Sequence, residues 1–350
     1  MSTIESYMLE TPSKMLEILD GSQDLFSKIK KLDINKIIIT GSGTSYHSGA
    51  QMAKLMQKIL KIEVSACYPF MVTNDSFIGD NTKTLVIGIS QGGSSYSTYN
   101  AMKISKQKGC ITASMAGTPD AFIDEQADFV LTVNCGEELA GAKTKGFYCT
   151  KLNLLLLALY TGLEKSSITN QEFENYISGI KDAAKQFEQV FRASEKWIEE
   201  NEEKFVNAKE IRITGPAALY GDILESALKL LETMRCPVSG YEFEEFIHGI
   251  YNAVNEDSTI FILDNGEEPR TEKMTEVLSN WTENVFLISN QNDTTGLVLP
   301  TVDNTELLTF NFIIPLQLIC AKIPRLRGVD PSTPKDPQFH MKLGSKKLNK

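Results

Sequence analysis

The sequence predicts an α/β protein made of two copies of one parallel-sheet unit, and three observations carry that reading. Short runs of β-branched and aliphatic residues recur between longer stretches of helical periodicity. Such runs are the pattern of parallel strands buried on both faces. The pattern of the first half returns in the second at a displacement of 174 residues, the mark of an internal duplication.

Taken in chain order, Tyr7, Met8, Met15, Leu16 and Leu19 mark an N-terminal helix with Pro12 near its start. Strands follow at Lys36–Thr40, Thr84–Ile89, Cys110–Ser114 and Phe129–Val133, and in the second half at Ile211–Thr214, Thr259–Leu263, Asn284–Ile288 and Gly296–Leu299. At the constant displacement, Ile39-Thr40-Gly41 falls on Ile213-Thr214-Gly215, Leu85–Ile89 on Thr259–Leu263, and Ile111 on Val285. Between the copies, Gln171–Lys209 carries Tyr176, Ile180, Phe187, Phe191 and Trp197 at helical spacing and reads as connecting helix. The apolar runs Leu154–Tyr160 and Phe310–Ile323 are too short for a bilayer and read as core. Pro331, Pro334 and Pro337 make the tail from Gly328 an extended surface segment without regular structure. The expected organisation is a helical segment over 1–35, a first domain over 36–170, connecting helices over 171–209, a second domain over 210–327 and a tail over 328–350.

At 350 residues with 42% hydrophobic content the chain can furnish two cores. Its net charge of −10 disfavours broad contact with nucleic acid or an anionic membrane. The start, Met1-Ser2-Thr3-Ile4-Glu5, lacks the basic and apolar regions of a secretory signal, so a cytoplasmic protein is expected. Six cysteines without a C-x-x-C pair fit neither a zinc site nor a disulfide framework and read as reduced, mostly buried thiols. With His47, His248 and His340 as the only histidines, metal hydrolysis is not expected, nor is any cofactor.

Chemistry gathers first after two strands. Lys36–Thr40 ends in Gly41-Ser42-Gly43-Thr44-Ser45, and Thr84–Ile89 ends in Ser90-Gln91-Gly92-Gly93-Ser94-Ser95, each followed by a helical pattern. A strand, a glycine turn and a helix start bring free N–H groups and the positive end of a dipole to one point, and the hydroxyls add donors suited to phosphate oxygens. Serine and threonine are also ordinary helix caps, so one loop alone decides nothing. The second copy supplies a control: the matching positions hold Gly215-Pro216-Ala217-Ala218 and Asp264-Asn265-Gly266-Glu267-Glu268, which cannot donate or would repel an anion. Neither loop completes a nucleotide fingerprint, so a small phosphomonoester fits better.

The second gathering is Glu225, Lys229 and Glu232, which a helix would place on one face. Such a stripe is commonly solvated, but Leu224, Ala227, Leu228, Leu230, Leu231 and Met234 cover much of the remaining surface and favour a cleft. Sixteen residues beyond Glu232 stands His248, followed by Gly249, either a proton carrier or a structural histidine.

These residues together resemble the sugar isomerase (SIS) domain family, in particular the isomerase half of glucosamine-6-phosphate synthase and the fructosamine-6-phosphate deglycases. The carriers are Gly43-Thr44-Ser45-Tyr46, Ser90-Gln91-x-Gly93, Glu138 through Thr144-Lys145, Leu224-Glu225-x-Ala227-Leu228-Lys229-Leu230-x-Glu232, and His248-Gly249. The resemblance implies tandem SIS domains, each a three-layer αβα sandwich of flavodoxin-like type. It implies that Thr44, Ser45, Ser90, Gln91 and Ser95 hold a sugar phosphate, with Gly43, Gly93 and Ser94 completing the loops. It further implies that Glu232 moves a proton between sugar carbons 1 and 2, that Glu225 and Lys229 shape the site, and that His248 reaches in from the partner of a homodimer.

Three departures stand out. Gly92 replaces a serine of the phosphate loop, Lys143 replaces a small polar residue near the sugar, and the tail offers His340 or Lys342 where the synthase brings in a lysine. No glutaminase domain is present and position 2 is serine, so full synthase activity is not expected of this chain alone. The expectation is a phosphosugar isomerase-type enzyme of amino-sugar metabolism acting on a hexose 6-phosphate or amino-sugar 6-phosphate. The alternatives are a fructosamine-6-phosphate deglycase, in which Lys143 meets the amino-acid carboxylate, and a sensor that binds the sugar phosphate without turnover.

Overall fold

A computed structural model of the chain describes residues 3–291, 296–300, 302 and 304–347. Position 2 and the last three residues of the tail, which entered the expectations above, lie outside them. The strands are β1 (Lys36–Thr40), β2 (Glu63–Cys67), β3 (Thr84–Ile89), β4 (Ile111–Met115), β5 (Phe129–Val130), β6 (Glu210–Gly215), β7 (Val238–Glu242), β8 (Ser258–Asp264), β9 (Val285–Ser289) and β10 (Leu297–Val298). The helices are α1 (Ile4–Phe26), α2 (Thr44–Leu60), α3 (Tyr96–Gln107), α4 (Lys145–Glu164), α5 (Asn170–Glu200), α6 (Glu202–Val206), α7 (Tyr220–Met234), α8 (Phe243–Ile247), α9 (Thr271–Ser279), α10 (Thr309–Phe312), α11 (Ile314–Leu326) and α12 (Phe339–Lys342).

Two five-stranded sheets result, ordered β2-β1-β3-β4-β5 and β7-β6-β8-β9-β10, and every pairing is parallel. With helices on both faces, each is a three-layer α/β sandwich. The two strand orders are the same order, and the displacement of 174 survives in detail. β4 and β9 coincide under it, and α2 and α7 end on Lys61 and Arg235, both left-handed with φ 55° and ψ 34°. A Cβ on Gly41 would stand 2.9 Å from the Ile89 carbonyl oxygen, and one on Gly215 2.8 Å from that of Leu263. Both copies therefore need glycine where the loop after the first strand crosses the end of its neighbour.

The chain divides into two compact units, one holding β1–β5 (Glu10–Glu138, Lys145–Tyr176, Lys335–Lys350) and one holding β6–β10 (Met1–Leu9, Leu139–Thr144, Ile177–Pro334). In the first, all six residues of β3 are buried, and α4 buries residues around its whole circumference, including Leu154–Leu159. In the second, β8 is buried throughout.

Several expectations need correction. Pro12 lies well inside α1 rather than near its start, tolerated because Tyr7, Met8, Met15 and Leu19 anchor the helix on its buried side. The edge strands β2 and β7 carried no continuous apolar run and were not foreseen. β5 and β10 are two residues each, shorter than the runs that predicted them. The tail is not wholly irregular: between its prolines and its end lie the single turn α12 and a bridge from Lys346 to Ser95. The apolar run near the C-terminus is also longer than read, since Thr305–Leu326 spans 22 residues, long enough to cross a membrane by length and composition. Ninety-four per cent of its most apolar window is buried in the protein, which makes it core.

Candidate functional site

In an open parallel sheet, ligands bind beyond the carboxyl ends of the strands where the strand order reverses. In the first sheet that point lies between β1 and β3, paired from Lys36↔Thr84 to Thr40↔Gly88. The two serine-rich loops leave these two strands, so the topology brings Gly43-Thr44-Ser45 and Ser90–Ser95 side by side.

Gly43 takes φ 55° and ψ −129° and starts α2, with Thr44 and Ser45 in its first turn. Gly93 takes φ 68°, and a Cβ there would come within 2.5 Å of the Ala121 Cβ. Gly93 N donates to Ser90 O at 2.8 Å, closing the second loop on itself. Within these loops the hydroxyls differ. Ser95 is the N-cap of α3, its Oγ accepting from Thr98 N at 3.3 Å and pairing with Ser97 Oγ at 3.0 Å. Ser45 and Ser90 are 9% and 8% exposed, and neither hydroxyl has a partner among the described residues. Neither hydroxyl is among the fully enclosed unpaired polar atoms of the described residues, so both keep access to solvent, and two unspent hydroxyls at one switch point are free to bond a ligand.

Gln91 turns its amide inward. Its Nε2 donates to Cys135 Sγ at 3.7 Å, and the space where a Cβ on Gly146 would stand is filled by the same amide. A hydrogen bond from the Cys149 thiol holds Cys135 down, to about 7, against the opposing effect of burial, with Gln91 assisting. Glu138 was quoted above only as a motif residue. Its carboxylate accepts from Lys145 N at 3.0 Å and Gly146 N at 3.1 Å, capping α4. Lys145, 1% exposed, binds Glu10 Oε2 at 2.7 Å and Glu137 O at 3.1 Å.

In the β6–β10 unit the loop after β8 is closed by carboxylates. Asp264 accepts from Gly266 N and Ser289 Oγ, and Glu268 pairs with Arg270.

Glu225, Lys229, Glu232, His248 and Lys143 belong to the β6–β10 unit, whereas all the phosphate-loop residues belong to the β1–β5 unit. On α7, Lys229 Nζ stands 2.7 Å from Glu232 Oε2 and 3.7 Å from Glu225 Oε1. Glu225 is fully buried and Lys229 3% exposed, while the Glu232 side chain is 37% exposed. The stripe is thus no solvated face. Burial pushes the Lys229 ammonium down, but the two carboxylates outweigh it and hold it above its ordinary value. The arrangement leaves Glu232 as the accessible carboxylate, fixed by a buried cation. His248 follows α8 and is 72% exposed. Its Nδ1 lies 2.7 Å from Glu244 O, and it makes no hydrogen bond or ion pair with Glu225, Lys229 or Glu232. Lys143 is half-buried. In the tail, His340 bonds Ser345 Oγ and Lys342 pairs with Asp336. Cavities of about 770 and 510 Å³ in the β6–β10 unit open at the amino ends of its strands and contain none of these residues.

The SIS domain model matches residues 32–160, the segment that holds both serine-rich loops. Over 343 residues the chain is 27% identical to the glutamine–fructose-6-phosphate aminotransferase (isomerizing) of Aquifex aeolicus, covering 93% of this chain and 55% of that protein. The chain thus spans about half the length of such a relative. A solved structure from Clostridium difficile 630, provisionally described as a phosphosugar isomerase, is 61% identical with a TM-score of 0.97 and full coverage of both chains. Another from Salmonella typhimurium LT2, provisionally described as a sugar-binding protein, is 39% identical with a TM-score of 0.82, covering 92% of this chain and 99% of that one. From the shared sheet order, the paired serine loops and these likenesses, the chain belongs to the SIS domain family and is homologous to the isomerase half of the glutamine–fructose-6-phosphate aminotransferases.

Proposed function

We propose that the chain is a phosphosugar isomerase-type enzyme that binds a hexose 6-phosphate or amino-sugar 6-phosphate and moves a proton between its carbons 1 and 2. The observation that carries this reading is the pair of serines, Ser45 and Ser90, at the switch point of the first sheet, whose hydroxyls bond no other described residue. Phosphate held there by Ser45, Ser90, Thr44 and loop N–H groups anchors the substrate far from its reacting carbons, lowering the entropic cost of reaction. Glu232 acts as base: it takes the C2 proton of the open-chain aldose, the electron pair forms an enediolate with its charge on O1, the O2 hydroxyl proton passes to O1, and the proton on Glu232 is delivered to C1 as the ketose forms. Lys229, held against Glu225, keeps that carboxylate in one position. His248, exposed and free of the α7 cluster, serves ring opening in the site of a partner copy of a cytoplasmic homodimer. A deglycating variant of the reaction draws support from Lys143, a half-buried cation with no ion pair among the described residues, which suits a substrate carrying an amino-acid carboxylate.

The test is a panel of hexose, hexosamine and fructosamine 6-phosphates followed by NMR in deuterated water. Wild-type protein should exchange the C2 proton or release amine with at least one of them, and Glu232→Gln should bind the same sugar without exchange. Binding without exchange by the wild type would instead establish a sensor, and full turnover by Glu232→Gln would remove the base assignment.

A further inference from the structure

Residues Ser345–Lys347 run antiparallel to Ser94–Tyr96. Tyr96 N donates to Ser345 O at 3.3 Å, Lys347 N donates to Ser94 O at 2.9 Å, and Lys346 pairs with Ser95 between them. Directly opposite residues of such a pair share a face and successive residues alternate, so Lys347 projects away from the face of Ser95. On that side its Nζ meets Glu125 Oε1 at 2.8 Å and stands 4.3 Å from the centroid of the Phe122 ring. The turn Phe122–Gln126 is itself a buttress of the phosphate loop. Ile123 N donates to Gly93 O at 3.1 Å, and Phe122 stacks on Tyr99 of α3 with centroids 4.1 Å apart. Lys347 therefore ties the tail to the same turn that supports the loop from its other side. His340 steadies the strand by bonding Ser345 Oγ at 2.8 Å.

We propose that Lys347 is a positioning residue for the phosphate loop: it clasps the tail strand onto Ser94–Tyr96 and so holds Ser90–Ser95 in the shape that receives an anion. The inference rests on the phosphate reading above. Its logic is backbone accounting. With Ser94 O and Tyr96 N engaged by the tail and Thr98 N by Ser95, the loop keeps one conformation, and the donors left for a ligand keep one direction. Nothing in the clasp touches the reacting carbons, so its loss weakens binding and spares chemistry at saturation.

The experiment compares wild type, Lys347→Ala and Lys347→Arg in three readouts: titration with inorganic phosphate and the 6-phosphate panel, hydrogen exchange at residues 90–96, and thermal melting. Lys347→Ala should weaken phosphosugar binding about five-fold, the scale of losing an exposed ion pair and a cation–π contact. It should speed exchange at Tyr96 and melt close to wild type. Lys347→Arg retains both contacts and should restore affinity and protection together. Wild type that binds no phosphate or phosphosugar overturns the functional reading and this inference with it. Wild type that binds, beside Lys347→Ala that binds equally well or shows no faster exchange, overturns the clasp alone. So does an arginine variant that fails to rescue.

Discussion

Ser45, Ser90 and Ser95 carry the same hydroxyl in the same pair of loops, yet they are placed for two different tasks. Ser95 spends its hydroxyl on Thr98 N, which is what any good N-cap does. Ser45 and Ser90 are more deeply buried and have no such partner among the described residues. Their energetic signatures should separate accordingly. Ser95→Ala should cost roughly 1 kcal/mol of stability through the lost cap, read as a lower melting temperature. Ser45→Ala and Ser90→Ala remove groups that satisfy nothing within the protein, so they should leave the melt nearly unchanged. Each should raise the dissociation constant of a phosphosugar by about ten-fold, as expected for one hydrogen bond to a charged group. If Ser90→Ala proves as destabilising as Ser95→Ala without losing affinity, both serines are caps and the phosphate assignment falls.

At the scale of elements, the legible parts were those whose physics is local. β1, β3, β4, β8 and β9 were read from runs of β-branched and aliphatic residues because central parallel strands are buried on both faces. The serine loops were found because a glycine turn between a strand and a helix leaves a mark in the sequence itself. β2 and β7 left none: Glu63-Val64-Ser65-Ala66-Cys67 is exposed at its first residue and buried fully only at Val64, and no residue of β7 is fully buried. The role of Glu138 was equally hidden, since its ligands Lys145 N and Gly146 N are backbone groups brought to it by the turn between them. That cap makes its own prediction. Glu138 is 4% exposed, so Glu138→Ala strips two donors of α4 of a buried acceptor and should cost about 2 kcal/mol, measured by chemical denaturation. Glu138→Gln keeps one acceptor oxygen and should recover part of the loss; equal stability of all three proteins would show that solvent can replace the carboxylate.

For the whole molecule, duplication and connectivity tell different stories. Two matched sheets at a constant displacement look like two domains in series, and a cut in α5 looks like the place to separate them. The chain instead passes between its compact units at Leu9/Glu10, Glu138/Leu139, Thr144/Lys145, Tyr176/Ile177 and Pro334/Lys335. Closure of this kind depends on contacts far apart in sequence, which no periodicity records. A fragment spanning residues 10–176 would contain all of β1–β5 and both serine loops, but it would lack the tail that engages Ser94 O and Tyr96 N. It would also expose residues 139–144 without the unit they pack in. The fragment should therefore melt earlier and less cooperatively than the full chain by circular dichroism and bind phosphosugar more weakly. Since the tail pairs with the loop Ser94–Tyr96 through non-covalent bonds, adding Lys335–Lys350 back as a peptide should recover part of the affinity. A fragment that melts as sharply and binds as tightly as the full chain would mean that the first SIS copy is autonomous and that the crossings carry no stabilisation.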